Sequence, residues 1–556
     1  MRILTPVIAM AFLLRAGASA QDAKPQEPNP TITSRTELVL VPTLVREKSG
    51  TSITGLAKTD FTLMENGAEQ KIAVFEEIKT SAVRQQWQTL PAGEFGNYLV
   101  NEPAPRRLTL IVMDSINTQF ADRSYAREHI LKFLGEMAGS KEPIALLQLH
   151  RGGVRVIHDF TTDPAVLAEA LRRFQLPEAP VADTEASLPD PAAIAASQAL
   201  NNEPRQLLKL LQDMEQNYLA AQRMLAAQLT LDGMQQIARA YAAIPGRKSV
   251  IWASGGFPFS IDDLSRVLSG SATPGYLSEI LPLYEKTWQA LNDANIALYP
   301  VDLRGLVVLG PSADSHVTAS DLKRARGSSW WTQQDTLSTF QEFADMTGGK
   351  AYFNTNELVH AFHDAVDDSA SYYLIGFYLA PDDRKPGWRK LQVKVKPAHA
   401  QARARSGFYI MPAEKDTSKS RQSDIALALS SSLDFTSVPL LARWTETTPN
   451  GEKKRAAFEL ILSPNAVLVA ESDQNHMSVD FAAAASEPAG KIVASNGRTM
   501  DTHLKPEFLQ QIRSDGITYK GALDLPPGQY TVRFVVRDNL SGRMGSVAAP
   551  LTVPAQ

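Results

Sequence analysis

The sequence predicts an α/β fold, doubly wound around a mostly parallel sheet and flanked by β-sandwich domains. Three observations predict it. Short apolar runs, Leu108–Met113 (LTLIVM), Lys248–Ala253 (KSVIWA) and Ile296–Val301 (IALYPV), are separated by helical patterns. Their length and β-branched content suit parallel strands covered on both faces, and strand–helix alternation is the mark of βαβ winding. On either side of this region apolar and polar residues alternate between turn signals, as in antiparallel sheets. With 556 residues the chain has room for several domains of about 100–200 residues each.

In chain order, residues 1–20 read as a secretory signal. Arg2 gives the positive start, Ile3–Leu14 the apolar run, and Ala18-Ser19-Ala20 the small-residue cleavage site before Gln21. Residues 21–35 are polar and Pro-rich, a flexible lead. A small β unit follows at 36–84. Within it Asn66-Gly67 separates Phe61–Met64 from Ile72–Phe75, a hairpin signal.

The α/β unit spans 105–366. After the Leu108–Met113 strand, Tyr125, Ile130, Phe133, Leu134 and Met137 mark a helix face. Ile144–Leu149 is the next strand, and Val154–Ile157 its hairpin partner after Gly152-Gly153. Asp163-Pro164 starts a helix, with Asp as N-cap and Pro at the first helical position. Lys350–Phe353, after Gly348-Gly349, is expected to be the last strand. A helical insertion occupies 177–244: an Ala/Pro/Asp-rich loop, then a Pro-free stretch from Arg205 to Ile244. There Leu207, Leu211, Met214, Tyr218, Ala221 and Leu225 recur at alternating spacings of four and three. That seam either lies on the domain's own flank or forms a partner or dimer helix.

Beyond the α/β unit, 370–411 carries alternating strands, which with 36–84 are expected to make one sandwich into which the α/β unit is inserted. Residues 412–428 read as a charged linker and 429–556 as an Ig-like β-sandwich punctuated by turns such as Pro526-Pro527-Gly528.

Composition narrows the chemistry. There is no cysteine, which excludes thiol catalysis, Cys-zinc sites, iron–sulfur clusters and disulfides. A formal net charge of −4 gives no basic excess pointing to nucleic acid. No run approaches the roughly 18 consecutive apolar residues of a transmembrane helix. The expectation is export to the periplasm or beyond.

Ligands of open parallel sheets bind at the carboxyl ends of the strands. Asp114, Ser254-Gly255-Gly256 and Asp302 stand there. The segments Leu108–Leu134, Pro245–Pro258, Tyr299–Gly305 and Thr347–Leu358 resemble the von Willebrand factor A family, a Rossmann-like fold. The resemblance is strongest to exported bacterial VWFA-related proteins, which also share the ITGLAKTDFTLMENG and YYLIGFY…WRKLQVKVK…ARARSGFY stretches. It covers roughly 36–410 and implies a site that holds a divalent cation through Asp-x-Ser-x-Ser, a threonine and a second aspartate. Here Asp114 matches and Thr118 stands in for the last serine. Ile116 replaces the middle one, Ser254 occupies the region of the second aspartate, and Thr230, the nearest threonine, falls inside continuous helix. What remains is a depleted Mg²⁺ or Mn²⁺ site of Asp114, Asn117 and Thr118, or a purely structural cap of the following helix.

Other signals are weaker. His360 and His363 share a helix with acidic neighbours and read as a solvated face. Trp330-Trp331 is either an exposed anchor or a plug over the sheet. No nucleotide-binding or nucleophile-elbow motif is present. The expected function is non-enzymatic binding of a protein or cell-envelope component at the strand-end face: Asp114, Ser254, Gly255, Gly256, Asp302, Trp330 and Trp331. Two rivals stand beside it. One is a metal-independent scaffold, a homo-oligomer through 205–225. The other is a metal-assisted hydrolase at Asp114 and Asp302.

Overall fold

The computed structural model describes residues 37–79, 90–97, 107–174, 202–258, 277–304, 337–355, 357–368, 370–380, 385–410 and 417–555. The signal segment, the lead, most of the 177–204 loop and Trp330-Trp331 lie outside them.

The chain opens with β1 (Glu37–Glu47), β2 (Phe61–Glu65), β3 (Ala68–Gln70), β4 (Val74–Lys79) and β5 (Glu94–Gly96). Asn66 and Gly67 both take positive φ, 48° and 86°, the backbone that a two-residue hairpin turn demands. The turn therefore pairs β2 with Ala68–Gln70 rather than with 72–75.

Next come β6 (Leu108–Asp114), α1 (Phe120–Glu136), β7 (Ile144–His150), β8 (Gly153–Thr161), α2 (Pro164–Arg173), α3 (Asn202–Tyr241), β9 (Lys248–Ser254), α4 (Leu277–Asp293), β10 (Ile296–Asp302) and α5 (Leu358–Asp367), with a further helical stretch over 337–347. The sheet order is β10-β9-β6-β7-β8. The first four strands run parallel, and β8 is antiparallel to β7. Every residue of β6, β9 and β10 is buried because both faces are covered. Leu110, Val112, Trp252 and Leu298 pack under α3 and α4, through Leu231, Met234, Trp288 and Leu291. Ile111, Met113, Ile251 and Tyr299 pack under α1, α2 and α5, through Ile130, Phe133, Leu171 and Phe362. Asp163 caps α2, its Oδ1 accepting the Ala165 N–H at 2.9 Å.

The remaining strands are β11 (Ser371–Leu379), β12 (Gly387–Val395), β13 (Ala400–Arg403), β14 (Gly407–Ile410), β15 (Leu440–Asn450), β16 (Lys453–Leu462), β17 (His476–Ser486), β18 (Ile492–His503), β19 (Ile517–Leu525), β20 (Gly528–Asp538) and β21 (Met544–Val553). They build four antiparallel sheets with the opening strands: β13-β1-β11-β4, β14-β12-β2-β3, β19-β16-β15-β5 and β18-β17-β20-β21. Strands before and after the α/β unit thus pair with one another, as in Val41↔Ile375 and Leu63↔Val393. Arg46 and Arg403 both engage the buried Asp368 just ahead of β11.

These sheets overturn the expected fold class. The described residues form mainly β structure in five small sheets, four antiparallel and one mixed, rather than one doubly wound, mostly parallel sheet. The long apolar runs dominate the sequence pattern, yet they supply only the buried strands of the mixed sheet. The expected strand at Lys350–Phe353 shrinks to a single bridge, Val301↔Tyr352. Tyr352 donates to Pro300 C=O and accepts from Asp302 N–H. The next ladder bond, toward Lys350, would need an N–H at position 300, where proline has none.

The 412–428 linker is corrected as well. From Ser418 to Ser430 the chain is a helix, α6, with Thr417 Oγ1 accepting the Ser420 N–H; α7 (Pro506–Asp515) follows later. Among the described residues no helix is long and apolar enough to cross a membrane.

Candidate functional site

Asp114 ends β6, where the chain leaves the sheet and turns into α1. Its Oδ1 accepts the N–H groups of Ile116 (2.9 Å) and Asn117 (3.1 Å). Its Oδ2 accepts the Asn117 Nδ2–H (2.8 Å) and the Trp252 Nε1–H (3.3 Å), and Ser254 Oγ lies 2.8 Å away. Only 1% of Asp114 is exposed. Burial is the larger influence and raises its carboxyl above the usual range, against the opposing hydrogen bonds from Asn117 and Ser254.

The second amide hydrogen of Asn117 goes to Thr230 Oγ1 at 2.9 Å, and Thr230 itself donates to Ala226 C=O one turn back on α3. The helix position that made Thr230 look inaccessible in the sequence thus delivers it to the strand end. Thr118 is fully buried, and its Oγ1 accepts the Gly255 N–H at 2.9 Å. A Cβ on Gly255 would come within 3.0 Å of Asn117 C=O, so glycine permits this close crossing of the two loops. Ser254 Oγ also lies 2.6 Å from Gly256 C=O. Ile116 is buried in the core beneath α3.

The structure therefore gathers Asp114, Asn117, Thr118, Thr230, Ser254 and Gly255 in a polar knot, in which the buried Asn117 Oδ1 has no hydrogen-bond partner among the described residues. A divalent cation needs oxygen lone pairs converging on one point. Here N–H groups converge on the carboxylate, and the Asn117 amide nitrogen bridges Asp114 and Thr230. This donor set does not fit Mg²⁺ or Mn²⁺.

Asp302 ends β10, separated from β6 by β9. Both its oxygens are taken by Arg304: Oδ1 by the backbone N–H and Nε, Oδ2 by Nη2 at 2.8 Å. Among the described residues it shares no hydrogen-bond partner with Asp114. The expected acidic docking surface is thereby corrected. Asp114, Ser254, Gly256 and Asp302 are buried and Gly255 is half-buried, because each charge is satisfied inside the loops that carry it. A hydrolase built on Asp114 and Asp302 would need both carboxylates facing one substrate, and they face their own partners. At this rim Phe120 is 62% exposed, and Arg123 lies against its ring.

His363 Nε2 sits 3.0 Å from Glu136 on α1, while the His360 side chain is mostly exposed. On α3, Met214, Tyr218 and Leu225 are 60%, 61% and 45% exposed and Ala221 is exposed, whereas Ala226, Ala227 and Leu231 are buried. Among the described side chains of this helix, burial in the core begins at Ala226. The side chains of Leu207 and Leu211 lie outside the described residues.

No family model and no curated protein matches this chain. Among solved structures it is similar to the crystal structure of the TFIIH p34 N-terminal domain, at 12% identity over 47% of this chain and 95% of that one. The TM-score is 0.20, too low to carry an argument about fold or function.

Proposed function

We propose that the chain is an exported, non-enzymatic binding protein of the VWFA-related type, and that it assembles with a second copy of itself through the first half of α3. One observation carries this reading: an apolar face of Met214, Tyr218, Ala221 and Leu225 stands exposed on a helix whose later turns, from Ala226 to Tyr241, pack into the core. Exposed apolar seams at alternating spacings of three and four are what paired helices bury. A 40-residue helix runs ~60 Å at ~1.5 Å per residue, enough to offer such a seam beyond the domain. The polar knot at Asp114 supports a structural role for the strand ends rather than a catalytic one.

The test is light scattering of the full chain against a Met214→Glu/Tyr218→Glu/Leu225→Glu variant. The wild type should run as a dimer and the variant as a monomer with unchanged circular dichroism. A monomeric wild type at high concentration, or a variant that stays dimeric, rejects the reading. Export is supported by Arg2, the apolar run and Ala18-Ser19-Ala20. N-terminal sequencing of protein recovered outside the cytoplasm should begin at Gln21.

A further inference from the structure

We propose that the open edge of the C-terminal sandwich, between β18 and β19, binds an extended peptide segment of a partner protein. The segment adds to β19 as a further strand and sets an acidic side chain beside Lys453. This site is separate from the α3 seam.

β18 and β19 are each the end strand of their sheets, in the orders β18-β17-β20-β21 and β19-β16-β15-β5. An end strand carries backbone N–H and C=O groups with no neighbouring strand on one side, and natural sheets shorten, charge or cover such edges. Here a groove of about 510 Å³ runs between the two. Val493–Asn496 line one wall, Ala522–Asp524 line the other, and Lys453 and Arg455 stand beside them.

One hydrogen bond across the groove shows which way the β19 edge faces. Asn496 Nδ2 on β18 donates to Ala522 C=O at 2.9 Å. That carbonyl thus looks toward β18, on the side away from β16. Backbone groups in an antiparallel ladder alternate sides from one residue to the next. The N–H and C=O groups of Lys520, Ala522 and Asp524 therefore share the outward direction, while Gly521 and Leu523 turn to their partners Phe458 and Ala456 on β16. The Asn496 amide stands where the N–H of an added strand would stand.

Size fits one extended chain. Strand rise, interstrand spacing and intersheet spacing give ~160 Å³ per extended residue, so the groove has room for about three, the length of the Ala522–Asp524 wall. Ala494, Ser495 and Ala522 are small, and leave this space open.

Charge selects the occupant. Asp524 holds Arg455 through two hydrogen bonds of 2.9 and 3.0 Å, so these charges offset each other. Lys453 is exposed, and among the described residues no carboxylate forms an ion pair with it. A carboxylate on the peptide completes that balance. A two-fold dimer through this edge would instead bring both copies of Lys453 into one interface, and the like charge favours a different chain. Main-chain hydrogen bonds then supply affinity and the acidic side chain sets register, as in strand addition to an exposed sheet edge.

The test is selection of a random heptapeptide library on the immobilised full chain, followed by fluorescence anisotropy of the selected peptides. Binders carrying Asp or Glu should emerge. Ala522→Pro removes an outward N–H without touching the β16 ladder, and should weaken them at least ~10-fold. Lys453→Glu should weaken them about threefold or more. Unchanged circular dichroism and thermal unfolding show that the variants fold. N-methylation of alternate peptide residues removes the ligand's own donors, and in one of the two possible phases should abolish binding to the wild type whether or not Ala522→Pro folds. The proposal is overturned if no peptide is enriched over a bare support, or if binding is indifferent to both Ala522→Pro and N-methylation. It is also overturned if the wild type self-associates through this edge and Ala522→Pro removes that association, which assigns the edge to a second copy.

Discussion

The Asn117 side chain places its amide nitrogen 2.8 Å from Asp114 Oδ2, and the same nitrogen reaches Thr230 Oγ1 at 2.9 Å. One neutral group thus joins the strand end to α3 where a cation would otherwise bridge two oxygens. Asn117→Ala removes both bonds and leaves a buried carboxylate short of a donor, at a cost of about 1–3 kcal/mol. Thermal unfolding should show that loss, and millimolar Mg²⁺ should shift neither wild type nor variant. A Mg²⁺-dependent rise in the wild type that vanishes in Asp114→Ala would restore the cation site.

How much of this was legible beforehand follows from how local each signal is. Asp163-Pro164, the Asn66-Gly67 turn and the buried strands are written in adjacent residues, and the chain forms them there. The class of the whole chain differs because the long apolar runs supply only the one mixed sheet, while most strands lie in four antiparallel sheets whose shorter, alternating segments leave a weaker local pattern. At the site, Asp114 and Thr118 were recognisable by type. What they do was not, because it depends on which way the Asn117 amide faces and on Thr230, brought in from α3.

Burial pushes the Asp232 carboxyl up to about 6, although Arg239 and Lys286 pull the other way. An unfolded aspartate titrates near 3.9. The native state therefore holds this proton more tightly, and the group's contribution to stability is largest below about 4 and falls as pH rises toward about 6. Asp232→Asn removes that dependence. Denaturation midpoints measured from pH 4 to pH 7 should show the wild type losing stability relative to the variant up to about 6, then running parallel. A constant difference throughout would rule out the raised value.

Lys248 shows the opposite sign. Burial lowers its ammonium to about 7, and Nζ donates to Ile244 C=O at 2.5 Å. An unfolded lysine titrates near 10.4, so between about 7 and about 10 the unfolded chain binds the extra proton and native stability grows with pH. Lys248→Met should flatten that alkaline gain in urea denaturation. If wild type and variant climb equally from pH 7 to pH 9, the buried ammonium is not its source.

Asp424 on α6 joins the mixed sheet's helices to the C-terminal sandwich. It accepts from Arg239 on α3 and from Arg537 on β20, each at 3.2 Å, and lies 3.9 Å from Lys286 on α4. The two arginine side chains are 17% and 6% exposed. Asp424→Ala leaves them without this carboxylate, and breaking a buried ion pair on one side costs about 3–5 kcal/mol. Chemical denaturation should show that loss, with Asp424→Asn intermediate. A loss below about 1 kcal/mol would mean that water replaces the carboxylate at this junction.

Asn97 makes a stitch across more than 300 residues, and it yields the sharpest pair of variants. β5 pairs with β15, and beside it Asn97 Nδ2 donates to Phe435 C=O at 2.5 Å and Val438 C=O at 2.9 Å while Oδ1 accepts the Leu440 N–H at 2.8 Å. The residue is 8% exposed, so water compensates little. Asn97→Ala leaves the Val438 C=O and the Leu440 N–H short of a partner, each worth about 1–3 kcal/mol when buried, while Phe435 C=O keeps the Ser546 N–H at 2.9 Å; the variant should destabilise the C-terminal sandwich although the mutation lies outside it in sequence. Asn97→Asp keeps the acceptor for Leu440 but sets a second carboxylate oxygen against the two carbonyls. It should therefore be at least as damaging as alanine, whereas a simple loss of packing would make it milder. Hydrogen exchange at Leu440 and its neighbours on β15 separates the two cases. Protection that is retained in Asn97→Ala would show that β5 is an ornament on the sheet edge rather than the strand that closes it.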